Sequence, residues 1–102
     1  MANIRFEWDE AKNLANQRKH NISFEDASEV FLDPLSITKQ DRDRDEESRW
    51  QTFGVVKGLE LIMVAHTIWE EGDDGVTTEV IRIISARLAT QKERREHEDE
   101  NG

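Results

Sequence analysis

Two arginines and a histidine stand where most of their neighbours are apolar. Arg82 and Arg87 punctuate the run Glu79-Val80-Ile81-Arg82-Ile83-Ile84-Ser85-Ala86-Arg87, and His66 closes an apolar run that ends at Thr67. An arginine in a strand that is apolar on both sides is costly to desolvate unless it lines a cleft or has a partner. These residue types suit cleavage of a phosphodiester by the hydroxyl next to it. That reaction needs a base for the attacking hydroxyl, an acid for the departing oxygen, and cations for the crowded phosphorane. Histidine suits proton transfer because its ordinary pKa of ~6.5 lies near neutrality. Arginine suits the phosphorane because its fork donates two hydrogen bonds to phosphate oxygens. His66 is therefore the candidate general acid or base, and Arg82 the candidate phosphate ligand. Glu79 and Arg87 both fall on the face of a regular strand opposite Arg82. A bend near Ser85-Ala86 would be needed to re-aim Arg87 towards the same phosphate.

Other candidates carry weaker signals. Lys19-His20 ends a predicted helix, where the helix dipole favours a cation by ~0.3–1 kcal/mol. That accounts for Lys19 without any function, and leaves His20 as a secondary catalytic candidate. Arg49 opens a strand beside Trp50, where it can touch RNA or a protein partner. Trp50 and Trp69 can stack bases, although packing in the core or against a partner explains them more simply. Trp8 reads as core. Lys92, Arg94, Arg95 and His97 alternate with Glu93, Glu96 and Glu98 on a predicted helix, as in a solvated, salt-bridged face. The spacing of His20, His66 and His97 matches no zinc motif. The chain has no cysteine, no glycine-rich phosphate loop and no Gly-x-Ser-x-Gly elbow. No metal and no cofactor are expected.

The elements that must position these residues can be read from periodicity. Residues 3–8 suit a short first strand. Asp9 is an N-cap for a helix to about Lys19, with Ala11 and Leu14 on its expected buried face. Ser23-Phe24-Glu25-Asp26 resembles a capping box, and Phe24, Ala27, Val30 and Phe31 follow helical spacing as far as Asp33-Pro34. From Leu35 the period changes to that of a strand. Residues 41–48 are a charged loop or strand end, and Trp50 to Val56 is a second strand. Lys57-Gly58 is a turn candidate. Leu59 to Thr67 and Thr77 to Ala86 are two more strands, joined by an acidic turn over residues 70–75. A charged helix over about Leu88 to Glu98 follows, and residues 99–102 are expected to fray. The prediction is an α+β domain, with two N-terminal helices on a small antiparallel sheet of three to five strands and a C-terminal helix. Strands apolar on both faces need both faces covered. The first helices cover one, which leaves the other for a ligand or a partner.

Composition limits the alternatives. At 102 residues the chain is a single domain over residues 1–102. Its net charge is −9, a poor balance for a protein that relies on phosphate contacts and a good one for a cationic partner. The charge is uneven: residues 70–79 carry −5, and residues 80–90 carry +2 with no acid. No apolar run approaches the ~20 residues of a membrane span, and Met1 to Arg5 lacks the apolar segment of a signal peptide. The cytoplasm is the expected compartment, with no membrane partner.

Several motifs in order carry a family resemblance. They are Phe6-Glu7-Trp8-Asp9-x-x-Lys12, Lys19-His20-x-Ile22-x-Phe24-x-x-Ala27, Asp33-Pro34, Val64-Ala65-His66-Thr67, and Ile81-Arg82-Ile83-Ile84-Ser85-Ala86-Arg87. Together they resemble the BrnT family of type II toxins over residues 4 to 97. The resemblance implies a RelE-like toxin fold and a metal-independent ribonuclease that inhibits translation. Taken together with the residue types and positions above, it makes His66, Arg82, Arg87 and His20 the expected catalytic residues, with Arg49, Lys19 and His97 expected on the RNA. It also implies a BrnA-like antitoxin with a ribbon-helix-helix domain, two toxins and two antitoxins per complex, and operator DNA contacted only through the antitoxin. The chain departs from the family pattern where tyrosine is usual near the end of the last helix, since it has no tyrosine and His97 stands at about that place. The alternative is a binding module of the same fold that acts only through a partner.

Overall fold

The structure is a computed structural model that describes residues 3–41, 49–56 and 60–101. The chain runs β1 (Asn3–Glu7), α1 (Glu10–His20), α2 (Phe24–Ala27), a 3-10 turn over Ser28–Leu32, β2 (Ile37–Gln40), β3 (Trp50–Val55), β4 (Leu61–Asp73), β5 (Val76–Leu88) and α3 (Gln91–Asn101). The charged segment after Asp41 and the Lys57-Gly58 turn lie outside the described residues.

The five strands form one sheet in the order β1-β5-β4-β3-β2. β1 lies parallel to β5, with Glu7 opposite Arg82. The sheet is therefore mixed, where the sequence reading expected it antiparallel. Nothing local in residues 3–8 marks a partner more than seventy positions away. β4 and β5 also run further than expected. Residues 70–75 are not a turn: only Asp74 and Gly75 reverse the chain, with φ of 50° and 80°. An Asp-Gly pair accepts positive φ at both positions of a two-residue hairpin at little cost.

One sheet face carries the main core. Phe24, Ala27 and Val30 pack there with Ile62, Val64, Ile81, Ile83 and Ala86, flanked by Phe6, Trp8, Phe31 and Ile68. Burial of α1 inverts the expectation. Leu14 is 49% exposed, whereas Asn13 and Asn16 are buried. Asn13 accepts from the Phe24 backbone N–H at 2.8 Å and donates to Glu25 at 2.8 Å. Asn16 donates to the carbonyls of Ile22 and Ala86, and accepts from the Ala86 N–H at 3.1 Å. The last β1 pairing is Glu7 with Arg82, so β5 has no strand neighbour on that side at Ala86. Asn16 supplies the missing backbone partner. The amide pair is the docking surface of α1, because buried backbone groups must be satisfied.

The second face holds a smaller cluster of Phe53, Leu61, Met63 and Ala89. α3 lies over it without burying any residue of its own. A reciprocal capping box starts this helix: the Thr90 N–H reaches Glu93 at 2.8 Å and the Glu93 N–H reaches Thr90 Oγ1 at 3.1 Å. α3 therefore begins later than Leu88 and continues through residues 99–101, which were expected to fray. It covers part of the face that the sequence left for a ligand or partner.

Candidate functional site

Ladder register decides which side chains share the second face. Ala65 pairs with Ser85, but His66 pairs with Ile83, so Ile84 is an extra residue on β5. This bulge shifts the alternation by one. Arg82, opposite Thr67, and Arg87, opposite Met63, consequently lie on the same face, as the sequence required of a bend near Ser85. Their opposing β4 positions are four residue steps apart, about 13 Å, which is too far for one phosphate.

Arg87 is also committed elsewhere. Its guanidinium makes a two-point contact with Glu93, at 2.8 and 3.1 Å. That contact holds the Glu93 carboxyl below the usual carboxylate range. The arginine expected in the site instead clamps the first turn of α3.

Arg82 keeps its side chain 46% exposed and faces Glu7 across β1, 3.7 Å away. Glu7, the β1 residue paired with Arg82, supplies the partner that a strand arginine needs. Around Arg82 opens a groove of about 530 Å³ lined by Lys12, Arg49, Thr67, Ile68, Trp69 and Ile84. Three cations from α1, β5 and the residue before β3 thus meet in an acidic chain. The sequence predicts Arg49 at such a surface, whereas Lys12 is a groove residue that the sequence marks only as part of a motif. Its signal in the sequence is its position one helical turn after the Asp9 cap.

The histidines lie elsewhere. His66 is fully buried, on the core side of β4. Its ring stands edge-on to Phe31, 5.0 Å between centroids. Nδ1 faces the Thr67 carbonyl at 3.4 Å, and because a carbonyl can only accept, that contact assigns the ring proton to Nδ1. Nε2 then accepts from the Thr52 hydroxyl at 2.7 Å, which in turn lies 2.8 Å from Thr38. Burial pushes the imidazole pKa down to about 4, so the ring is neutral at pH 7. His66 is a satisfied core histidine that ties three strands together, and it does not reach the groove. His20 ends α1 and Lys19 is exposed beside it; neither lines the groove. His97 donates to the Leu35 carbonyl at 3.1 Å. It borders a crevice under α3 of about 10 Å³, room for about one water. Among the described residues no cluster of three or more His, Cys, Asp or Glu could hold a metal ion. No described helix is long and apolar enough to cross a membrane.

The sheet, its two unequal covers and the cationic groove between them define a small α+β domain able to hold a polyanion on a sheet face. The family described as the ribonuclease toxin BrnT of type II toxin–antitoxin systems matches residues 8–93, and the chain belongs to that family. Among solved structures it is similar to the Brucella abortus ribonuclease toxin BrnT. The identity is 26% and the TM-score 0.58, with 89% of this chain and 100% of that one covered. A search among curated proteins finds no match. Toxins of type II systems are paired with an antitoxin, so membership implies such a partner.

Proposed function

We propose that this chain is a ribonuclease toxin that cuts RNA in the Arg82 groove, without a metal ion, and thereby inhibits translation. The observation that carries this reading is the convergence of Lys12, Arg49 and Arg82 on one open groove in a chain of net charge −9. Such clustering must overcome the repulsion of the surrounding acids for RNA, and it does so only at short range. In the reaction the 2′-oxygen attacks the adjacent phosphorus and the bond to the 5′-oxygen breaks. The 2′-proton leaves to a base, the 5′-oxygen gains a proton, and the products carry a 2′,3′-cyclic phosphate and a 5′-hydroxyl. The Arg82 fork holds the phosphorane oxygens, while Arg49 and Lys12 hold neighbouring phosphates. Glu7, which faces Arg82, is the group placed to take the 2′-proton. His66 contributes through the fold alone. Arg87, His20, Lys19 and His97 have no contact with substrate in this reading.

A BrnA-like ribbon-helix-helix antitoxin would neutralise the toxin in the cytoplasm, in a complex of two toxins and two antitoxins that meets operator DNA only through the antitoxin. Exposed Leu32, Leu35 and Val55 support a protein partner. The test is the purified chain with single-stranded RNA in excess EDTA. Cleavage with cyclic-phosphate ends, reduced at least about a hundredfold in Arg82→Ala, supports the reading. Loss of wild-type cleavage in EDTA removes metal independence. A second reading, a binding module without activity, is favoured by one observation: no histidine reaches the groove. A folded chain that binds a partner and cuts no RNA under any condition would establish it.

A further inference from the structure

Trp69 is the large aromatic side chain in the groove, 37% exposed. Trp8, by contrast, packs edge-on against core Phe24. An aromatic left open to water in a short domain forfeits burial that a core position would provide.

The ring of Trp69 is also held. Its Nε1–H donates to Glu71 at 3.1 Å. Arg5 reaches the other oxygen of Glu71 at 2.9 Å, and Glu7 at 2.9 Å. Glu7 in turn faces Arg82 at 3.7 Å. One continuous chain therefore runs from the indole to the phosphate-binding guanidinium, Trp69–Glu71–Arg5–Glu7–Arg82. The Trp69 and Arg5 contacts hold the Glu71 carboxyl below the usual carboxylate range. Register supports the same geometry. Val80 stands between Arg5 on β1 and Trp69 on β4, and it is fully buried although no helix covers it there.

We infer that Trp69 is a base-stacking platform beside the Arg82 phosphate site, oriented by Arg5, and that the groove takes unpaired RNA. The inference rests on the reading that this groove binds RNA, and it adds the class of RNA and the residue that selects it. Trp69 lies two residues along β4 from Thr67, which stands opposite Arg82. Their backbone positions are then about 7 Å apart along the strand direction, the scale of a single nucleotide. Stacking needs a base face, and a duplex hides its faces. Sequence preference should be slight, since every base has a π-face. Arg5 is a positioning residue that touches no substrate.

The test uses a short fluorescein-labelled 2′-O-methyl oligoribonucleotide, which cannot be cut because the attacking hydroxyl is blocked. Its affinity is measured by anisotropy, single-stranded and as a duplex, over a range of salt. Cleavage of the unmodified strand is followed in parallel. The wild type should prefer the single strand. Trp69→Ala should weaken single-strand binding roughly tenfold or more with an unchanged salt slope. Arg82→Ala should flatten that slope by about 0.7. Trp69→Phe should recover most of the affinity, and Arg5→Met should lose severalfold at constant slope. Equal wild-type affinity for strand and duplex would overturn the inference. So would a Trp69→Ala chain that binds like the wild type while Arg82→Ala does not; Trp69 would then be a protein contact. A wild type that neither binds nor cuts RNA removes the ribonuclease reading itself, and this inference with it.

Discussion

At the scale of single residues, type told where chemistry was concentrated better than it told the role. His66 is unusual in the sequence because it is polar at the end of an apolar run. In the structure that polar position is satisfied by a hydroxyl chain, Thr38–Thr52–His66. Thr52 is an ordinary strand residue until its register with Val64 is known, so the chain was not legible. Arg82 was legible, since a strand arginine must line a cleft or meet a partner, and here it does both. Its partner Glu7 needed the parallel pairing. The buried imidazole has a folded pKa of about 4 against the ordinary 6.5. The unfolded chain therefore takes up a proton first as pH falls. Stability is full above pH 6.5 and declines towards pH 4, by about 3 kcal/mol in all. Urea titrations across that window should show the slope in the wild type and lose His66's share of it in His66→Gln. Thr52→Val should cost about 1–3 kcal/mol at pH 7, because it leaves His66 Nε2 buried without a donor.

At the scale of elements, helix and strand positions were largely legible, and the faces of three elements were not. The residues of α1 that bury are amides at helical spacing, Asn13 and Asn16. Hydrophobic periodicity looks straight past them. Asn16→Ala should destabilise by at least about 2 kcal/mol in urea unfolding, since it strands the Ala86 N–H and two carbonyls. Leu14→Ala, at an exposed site, should cost much less. The bulge at Ile84 was equally hidden, though a need for some bend was readable from the spacing of Arg82 and Arg87. α3 is a third case. Its Thr90-x-x-Glu93 box was in plain view, but the polar sequence gave no sign that it lies on the sheet. Ion pairs hold it there: Arg87–Glu93, Lys39–Glu100 and Arg94–Glu60. Such pairs are individually weak and screened by salt. Amide hydrogen exchange should find α3 the least protected helix, faster in high salt and faster again in Glu93→Gln. Acid should act similarly. The Glu93 carboxyl is held low in the folded chain, so its contribution is present above the ordinary carboxylate pKa and lost as pH falls through the depressed value.

At the scale of the whole molecule, charge and function pull against each other. A chain of net charge −9 repels RNA at long range, and in the proposed function three groove cations attract it at short range. Affinity for single-stranded RNA should then be modest and fall with salt with a log–log slope of about −2, from three phosphate contacts. A slope near zero would mean that the groove holds no phosphates. The acidic surface and the exposed Leu32, Leu35 and Val55 leave room for a partner on the same small body. The antiparallel meander and the first and last helices were foreseen; the second, expected to run to Asp33-Pro34, is four α-helical residues followed by a 3-10 turn, and the closing β1–β5 pair, which brings Glu7 to Arg82, was not foreseen. The most direct test of the central claim is induction of the chain in cells without its antitoxin, following growth and total RNA together, with Arg82→Ala expressed to the same soluble level. Growth arrest with RNA loss in the wild type, and neither in the variant, is the predicted result. Arrest and RNA loss that persist unchanged in Arg82→Ala would contradict the assignment of this groove as the catalytic site.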